Sequence, residues 1–341
     1  MQRPTIHDVA REARVSLATV DRVLNNRGGV AAKSVEKVHF AVEKTGYVRD
    51  QFAANLSRGR GFRFVFLLPA PVSSFVRNLT AAIADQALRY RKDRVEVEVR
   101  SSPTFDSAAQ VAALRAIAPA QTDCLAVMVT DVPAVRAELL RLRAAGVHIL
   151  TLVSDVGAAA RAVYVGPDNE VAGRMAGRFM GRFVRKPAGP VLVIAGSLAA
   201  RDHAQRLLGF RQVLQAEYPA LTVLPVAEGL DDADRIAGIA LQAMADVPLL
   251  GIYAIGAGNA GLLEALSEAP GTLRPVTILH ELTGTTRTGL QSDLFDLVID
   301  QDPGRAVTRA LSIMRDLADG QTVSPDRGNI PLSIIIKENI Q

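Results

Sequence analysis

Near the amino terminus two short amphipathic segments are separated by only about three residues, and so short a link forces consecutive helices into a tight angle. Thr5-Ile-His-Asp8 has the Ser/Thr-x-x-acid spacing of a capped helix start, and Ile6, Val9, Ala10 and Ala13 recur at helical spacing up to an end near Arg14. Ser16 is placed to cap a second helix with a buried stripe of Val20, Val23 and Leu24, and the small Ala10 lets the two helices approach closely. A third helix is predicted over Ala32–Thr45, with Val35, Val38 and Val42 inward and Gly46 as a left-handed stop. Three helices of this size just enclose a core, so residues 1–48 read as a helix-turn-helix head.

Charge gives the head a partner class. Residues 1–63 hold twelve Lys/Arg against six Asp/Glu, whereas residues 64–341 hold twenty-seven against twenty-nine. A compact basic module on a near-neutral body is the electrostatic footprint of a nucleic-acid-binding head. If the second helix enters a major groove, Leu17, Ala18, Asp21 and Arg22 face base edges, and Ser16, Thr19 and Asn25 are better placed for phosphates; Thr5 completes this set. Leu17 and Ala18 offer only apolar contact, for instance to thymine methyls. Arg22 could read guanine bidentately or clamp a phosphate.

The string Thr5-Ile-His-Asp-Val-Ala-Arg-Glu-Ala13, continued by Val15-Ser-Leu-Ala-Thr-Val-Asp-Arg-Val-Leu-Asn25, Lys33-Ser34 and Gly46-Tyr47, closely resembles the head of the lactose-repressor (LacI/GalR) family. Ala53-Ala-Asn-Leu56-Ser-Arg-Gly-Arg60 is similar to the family's hinge motif, which places a hinge helix and linker at 49–61. The resemblance implies that residues 50–58 form a helix only on the operator. Ala53 and Asn55 would then contact DNA, and Leu56 would wedge with its symmetry mate into the central base step; the alternative for Leu56 is packing on the head or body. Two positions depart from the family pattern. Asp21 replaces a small hydroxyl residue, so it must accept from a cytosine amino group, pair with a cation or turn away. Ala31 stands where a capping Ser is usual, which should weaken the third helix by about 1 kcal/mol.

From Arg63 onward the pattern changes to short β-rich runs alternating with helical segments, which implies parallel sheets. Predicted strands are Phe64–Leu68, Val95–Val99, Cys124–Val129, His148–Val153, Val191–Ile194, Val223–Val226, Leu250–Ala254, Val276–Leu279, Asp296–Ile299 and Leu332–Ile336, with a helix over Phe75–Tyr90. Ten strands exceed one modest sheet. The economical reading is two similar lobes, about 62–160 with 293–320 and about 161–292 with 321–341, with a ligand cleft where polar strand ends meet. The single cysteine, Cys124, lies in an apolar run and reads as core packing, which excludes an internal disulfide. With no basic-then-apolar leader and no apolar run near the length of a membrane span, the expectation is a cytoplasmic protein that does not engage a membrane.

Residues 62–341 resemble the type I periplasmic sugar-binding fold, nearer its ribose-binding branch, through Val165-Gly-Pro-Asp-Asn169 with Ala172-Gly173, Arg206-Leu-Leu-Gly-Phe210 and Ile299-Asp-Gln-Asp-Pro303. The whole is thus expected to be α/β, a three-helix head on a two-lobed body. By this resemblance Arg206 binds ligand hydroxyls or a carboxylate, Gln301 bonds a hydroxyl and Phe75 covers the apolar face of a sugar ring. Ser74, Ser154, Asp155, Asn259, His280 and Glu281 are further candidates at or just beyond strand ends. Where the family often has Asn-Asp, this chain has Gly256-Ala-Gly-Asn259, so a principal hydroxyl contact is missing or displaced to Asn259. Glu281 and Asp155 would favour a polyol, a pentose or a cation.

The expected function is a ligand-responsive transcription regulator, a repressor, that senses a small sugar or polyol in the interlobe cleft and acts as a homodimer on a pseudo-palindromic operator without a cofactor. A dimer rather than a tetramer is expected, because the chain ends soon after Ile336 without a further leucine-heptad helix. An enzyme is the weaker alternative: the sequence shows no Ser-His-Asp order with a nucleophile elbow, no phosphate loop and no close paired histidines, and Gly256-Ala-Gly258 is an incomplete nucleotide fingerprint. A DNA-binding architectural protein with a merely oligomerising body is the third reading.

Overall fold

The computed structural model describes residues 4–24, 29–46, 61–186, 188–268 and 274–340, and it separates into a head, 1–60, and a body, 61–341. Among the candidate DNA-contacting residues, Asn25, Ala53, Asn55 and Leu56 lie outside the described residues.

The head consists of α1 (Ile6–Ala13), α2 (Leu17–Leu24) and α3 (Ala32–Thr45). Its core is Val9, Ala10, Ala13, Val20, Val23, Val38 and Ala41, with Val35 and Val42 packed against it. Arg14 at φ 54° stops α1, and Gly46 at φ 66° stops α3. Both are left-handed, and the backbone N–H of each closes onto the last turn of its helix. Ala31 sits in the extended conformation of an N-cap but supplies no side-chain bond, as its methyl dictates.

The body holds two sheets. The first runs β2 (Val95–Ser102), β1 (Phe62–Pro69), β3 (Cys124–Val127), β4 (His148–Leu152) and β5 (Val163–Val165), all parallel. The helices α4 (Ser74–Tyr90), α5 (Ser107–Arg115) and α6 (Pro133–Ala144) connect its strands. After α7 (Asn169–Phe183), the second sheet collects β6 (Gly189–Ala195), β7 (Leu221–Val223), β8 (Ala227–Glu228), β9 (Gly251–Ala254), β10 (Val276–His280), β11 (Leu297–Asp300) and β12 (Ser333–Ile335). Its order is β12-β11-β10-β9-β6-β7, with β8 also on β6 and only β12 antiparallel. Between these strands lie α8 (Arg201–Glu217), α9 (Ala233–Asp246), α10 (Asn259–Glu268) and α11 (Gly284–Gln291), and α12 (Pro303–Ala318) follows β11.

The expected strands form, with three differences. Val163–Val165 is a strand of the first sheet rather than part of the second lobe expected from about 161, because its alternate residues Val163 and Val165 enter the first core. Leu297–Asp300 pairs with β10 in the second sheet, although it was expected in the first lobe with residues 293–320. The chain therefore changes lobe at 166–168 and 301–302, later than about 161 and 293. Finally, Val223–Val226 is not one strand but the end of β7 and the approach to β8.

Helix α12 returns to the first lobe, burying Ala306, Val307, Ala310, Leu311, Ile313 and Met314 in the core with Phe62, Phe64 and Phe66. Cys124 belongs to the same cluster, its thiol donating to the Met314 carbonyl at 3.2 Å, and burial raises its pKa well above the ordinary thiol value. The crossovers are tied together where Gly166 N–H donates to Gly328 O at 3.1 Å and Ile330 N–H to Gly166 O at 3.0 Å. Among the described residues no helix is long and apolar enough to cross a membrane.

Candidate functional site

In the head, α2 presents Ser16, Leu17, Ala18 and Arg22 to solvent, whereas Thr19 and Asp21 are half-buried. Ser16 Oγ accepts the Thr19 N–H at 3.2 Å and lies 2.9 Å from Thr19 Oγ1, so both hydroxyls already organise the helix start. Thr5 is exposed, donating to Asp8 Oδ2 from its hydroxyl at 2.7 Å and its N–H at 2.9 Å, and these bonds hold the Asp8 carboxyl below its usual range. The first turn of α2 thus carries one exposed face of Leu17, Ala18 and, one turn on, Arg22, the mixture of apolar and bidentate groups that suits base edges.

In the body, a cavity of about 400 Å³ opens between the lobes at the carboxyl ends of both sheets. Each sheet reverses its strand order there, between β1 and β3 and between β6 and β9, the place where an open α/β sheet leaves a crevice. The two walls differ in chemistry. The first lobe offers mainly apolar groups: Phe75 and Val76 from α4, Phe105 after β2, Met128 and Val129 after β3, and Val153. The second offers Asp202, His203 and Arg206 from the first turns of α8, Asp231 before α9, Glu281 after β10 and Gln301 after β11.

Arg206 is the best-fixed of these. A Cβ on Gly173 would lie 1.9 Å from the Arg206 carbonyl oxygen, and one on Gly209 would lie 2.1 Å from that of Glu170, so glycine at both positions lets α7 and α8 touch backbone to backbone. That approach puts Arg206 Nε 2.8 Å from Asn169 Oδ1, and Nη1 donates to the Ile255 carbonyl at 3.0 Å. Nη2 has no hydrogen-bond partner although buried, and it lies 3.9 Å from Glu281 Oε1. Asp202 Oδ1, Glu281 Oε2 and Gln301 Oε1 are likewise buried without partners, an unusual concentration of unsatisfied groups in one place. Gln301 Nε2 donates to Glu281 Oε1 at 2.5 Å.

The charges are unequal. Burial pushes the Glu281 carboxyl up to about 8, with Arg206 opposing the rise, so Glu281 is largely protonated at neutral pH. Burial also works to raise Asp202, but the charges of His203 and Arg206 and the Ser154 hydroxyl outweigh it and hold Asp202 ionised, below its usual range. Asp231 is raised, chiefly by burial.

Of the sequence candidates, Phe75, Ser154, Arg206, Glu281 and Gln301 line the cavity. The structure does not bring the other four to its wall. Ser74 Oγ takes Arg77 Nη2 at 2.7 Å instead. Asp155 is bound by Arg161 through both oxygens, at 2.5 and 2.7 Å, and by Thr151 Oγ1 at 2.7 Å, which makes it a structural anchor. Asn259 begins α10, buried and off the cavity. His280 is buried with Nε2 2.7 Å from Tyr253 Oη; burial, then the charges of Arg206 and His203, keep its pKa well below the ordinary value, so it is neutral. Sequence reasoning missed Asp202, His203 and Asp231. Asp202 and His203 carried a signal, since both precede Arg206 within the first turns of the same helix.

Comparisons with known proteins agree with this geometry. Residues 64–322 match the family described as periplasmic binding protein domain, and residues 5–50 match bacterial regulatory proteins, lacI family. The maltose regulon regulatory protein MalI of Vibrio furnissii is 36% identical over 83 residues, 24% of this chain and 60% of that protein. Catabolite control protein A of Staphylococcus aureus is 33% identical over 87 residues, 26% of each chain. The alignments thus span less than two thirds of these relatives' own length. Among solved structures, a solute-binding protein from Burkholderia graminis in complex with D-arabinose superposes with a TM-score of 0.73 at 21% identity, over 82% of this chain and 96% of that one. The glucose-galactose binding protein GanP of Geobacillus stearothermophilus gives 0.74 at 18% identity, over 82% and 99%. At these identities the likeness is one of fold.

Proposed function

Because this chain belongs to the periplasmic binding protein domain family across residues 64–322 and carries a lacI-family regulatory domain at 5–50, we propose that it is a cytoplasmic transcription regulator that binds a pseudo-palindromic operator as a dimer and whose effector is a neutral sugar or polyol held between the lobes. The observation that carries the effector class is the set of unsatisfied groups around one cavity: Asp202 Oδ1 and Gln301 Oε1 accept, Arg206 Nη2 donates, and Glu281 Oε2 donates while protonated. Hydroxyls, which both donate and accept, complete such a mixture, and Phe75 and Phe105 supply apolar faces for the C–H side of a ring. An anionic effector would meet ionised Asp202 with a single guanidinium already balanced against it. The relatives, a maltose regulon regulatory protein and a catabolite control protein, point the same way.

One head covers one half-site, so a two-fold dimer reads a palindrome. Effector and operator are linked through the equilibrium between lobe arrangements, each ligand favouring the arrangement it binds better. The test is a thermal-shift screen of the full chain against neutral sugars and polyols, sugar acids and sugar phosphates, followed by operator binding with and without each hit. Stabilisation by a neutral compound that also changes operator affinity is expected. Stabilisation by sugar acids or phosphates alone would overturn the effector class, and turnover of the hit would replace regulation by catalysis.

A further inference from the structure

The two neighbouring acids Asp231 and Asp232 precede α9 and do different work. Asp232 Oδ1 accepts the Arg235 N–H at 2.8 Å and caps the helix. Asp231 is turned the other way, because Leu230 at φ 54° and Asp231 at φ 58° are consecutive left-handed residues. This is a costly conformation for an unsubstituted chain of L-residues, and it persists only where the surroundings impose it. They do so here through Gly229 N–H to Ala195 O at 2.7 Å and Leu230 N–H to Gly196 O at 2.9 Å, which tie the loop to the end of β6.

The space Asp231 enters is made by two glycines at the ends of adjacent strands. A Cβ on Gly196 would lie 2.4 Å from Asp231 Oδ1, and a Cβ on Gly256 would lie 2.6 Å from the same atom and 2.7 Å from Gly196 N. No side chain fits at 256 while Asp231 is in place. Asp231 Oδ1 accepts the Ala257 N–H at 2.9 Å, and Asp231 lines the cavity.

We propose that Asp231 is a specificity-determining residue of the effector site: with Oδ1 held in the notch between Gly196 and Gly256, its second oxygen, Oδ2, selects effectors that present a hydrogen-bond donor to it. The inference rests on the proposed effector cavity and adds a contact from the loop before α9, where a strand-end side chain would otherwise stand. A carboxylate only accepts, so a deoxy position or an acceptor-only group facing it loses the contact and leaves a buried oxygen unmet. Discrimination by a site that must pair its own polar atom is steeper than discrimination by shape.

Asp231→Asn tests this directly. The amide oxygen still accepts from Ala257 N–H, Asn tolerates the left-handed backbone, and the amide nitrogen turns the cavity-facing acceptor into a donor. Calorimetric binding of D-arabinose, D-galactose, D-glucose and myo-inositol, and of monodeoxy derivatives of whichever binds, is compared in the wild type and D231N, with unliganded melting as the control for folding. One deoxy derivative is expected to bind the wild type at least tenfold more weakly than its parent but D231N within about twofold of its parent, with melting of the free protein unchanged. An identical pattern of deoxy penalties in the two proteins overturns the role of Asp231 while leaving the cavity as the effector site. If none of these neutral compounds binds the wild type, the effector reading falls and this inference with it.

Discussion

Arg206 has three jobs at once, to hold Asn169, to hold the Ile255 carbonyl and to line the cavity with Nη2 still unpartnered. Arg206→Ala removes the partner of two buried acceptors and the charge compensating Asp202, so it is expected to destabilise the body by about 3–5 kcal/mol in denaturant titration. Arg206→Lys keeps the charge but not the planar fork, and is expected to cost less stability while still weakening effector binding about tenfold or more. A lysine variant that binds normally would show that charge alone is recognised. Glu281 gives a pH signature. Its folded pKa of about 8 lies above the unfolded carboxyl value, so the native state holds the extra proton and stability from this group is full at low pH. It is lost as pH rises toward 8, whereas Glu281→Gln, which mimics the protonated form, should lose less over the same range; equal slopes from pH 5 to pH 8 in chemical denaturation would refute the assignment. Arg206 and Gln301 were legible from short motifs, because each motif couples the polar residue to a glycine or strand end that fixes it. Asp231 was not legible, since Asp231-Asp232 reads locally as a helix cap, and which acid turns inward depends on glycines 35 residues before and 25 residues after it.

Among the elements, the three head helices show how far capping chemistry reaches. Periodicity and caps identified α1, α2 and α3, and Gly46 ended α3 as expected, because these signals are local. Lobe membership was less legible: β5 and β11 have ordinary strand patterns, and only pairing with distant partners assigns Val163–Val165 to one sheet and Leu297–Asp300 to the other. Ala31 offers an element-scale test. Its backbone is already extended at φ −62° and ψ 139°, the geometry an N-cap requires, so Ala31→Ser adds an acceptor for the α3 amides without rearrangement. Hydrogen exchange of the α3 amides in the full chain should slow by an amount equivalent to about 1 kcal/mol. Unchanged exchange would mean that the first turn of α3 is already satisfied by another donor-acceptor arrangement.

For the whole molecule, the proposed function turns on the free energy that couples effector to operator. Among the contacts that join the lobes beside the cavity are Arg201 Nη1 to Asp131 Oδ2 at 3.0 Å, and Phe105 against His203 edge-on at 6.0 Å between ring centres. Asp131 is also held by Arg136 Nη1 at 2.7 Å, so its carboxylate is fixed before Arg201 reaches it. A partly exposed pair of this kind contributes about 0–1 kcal/mol, enough to bias the lobe equilibrium and too little to lock it. In the proposed regulator the effector, through its differential affinity for the two arrangements, would then set the outcome. Linkage requires that the factor by which effector changes operator affinity equal the factor by which operator changes effector affinity, within the usual range of about 5–150-fold. Fluorescence anisotropy with labelled operator, with and without saturating effector, gives the first factor; calorimetric effector titration with and without operator gives the second. The factors should agree in the wild type, and in Arg201→Ala the effector affinity of the free protein should shift by up to about fivefold with the two factors still equal to each other. Effector binding that leaves operator affinity unchanged would dissolve the coupling and leave a DNA-binding head joined to an independent sugar-binding body.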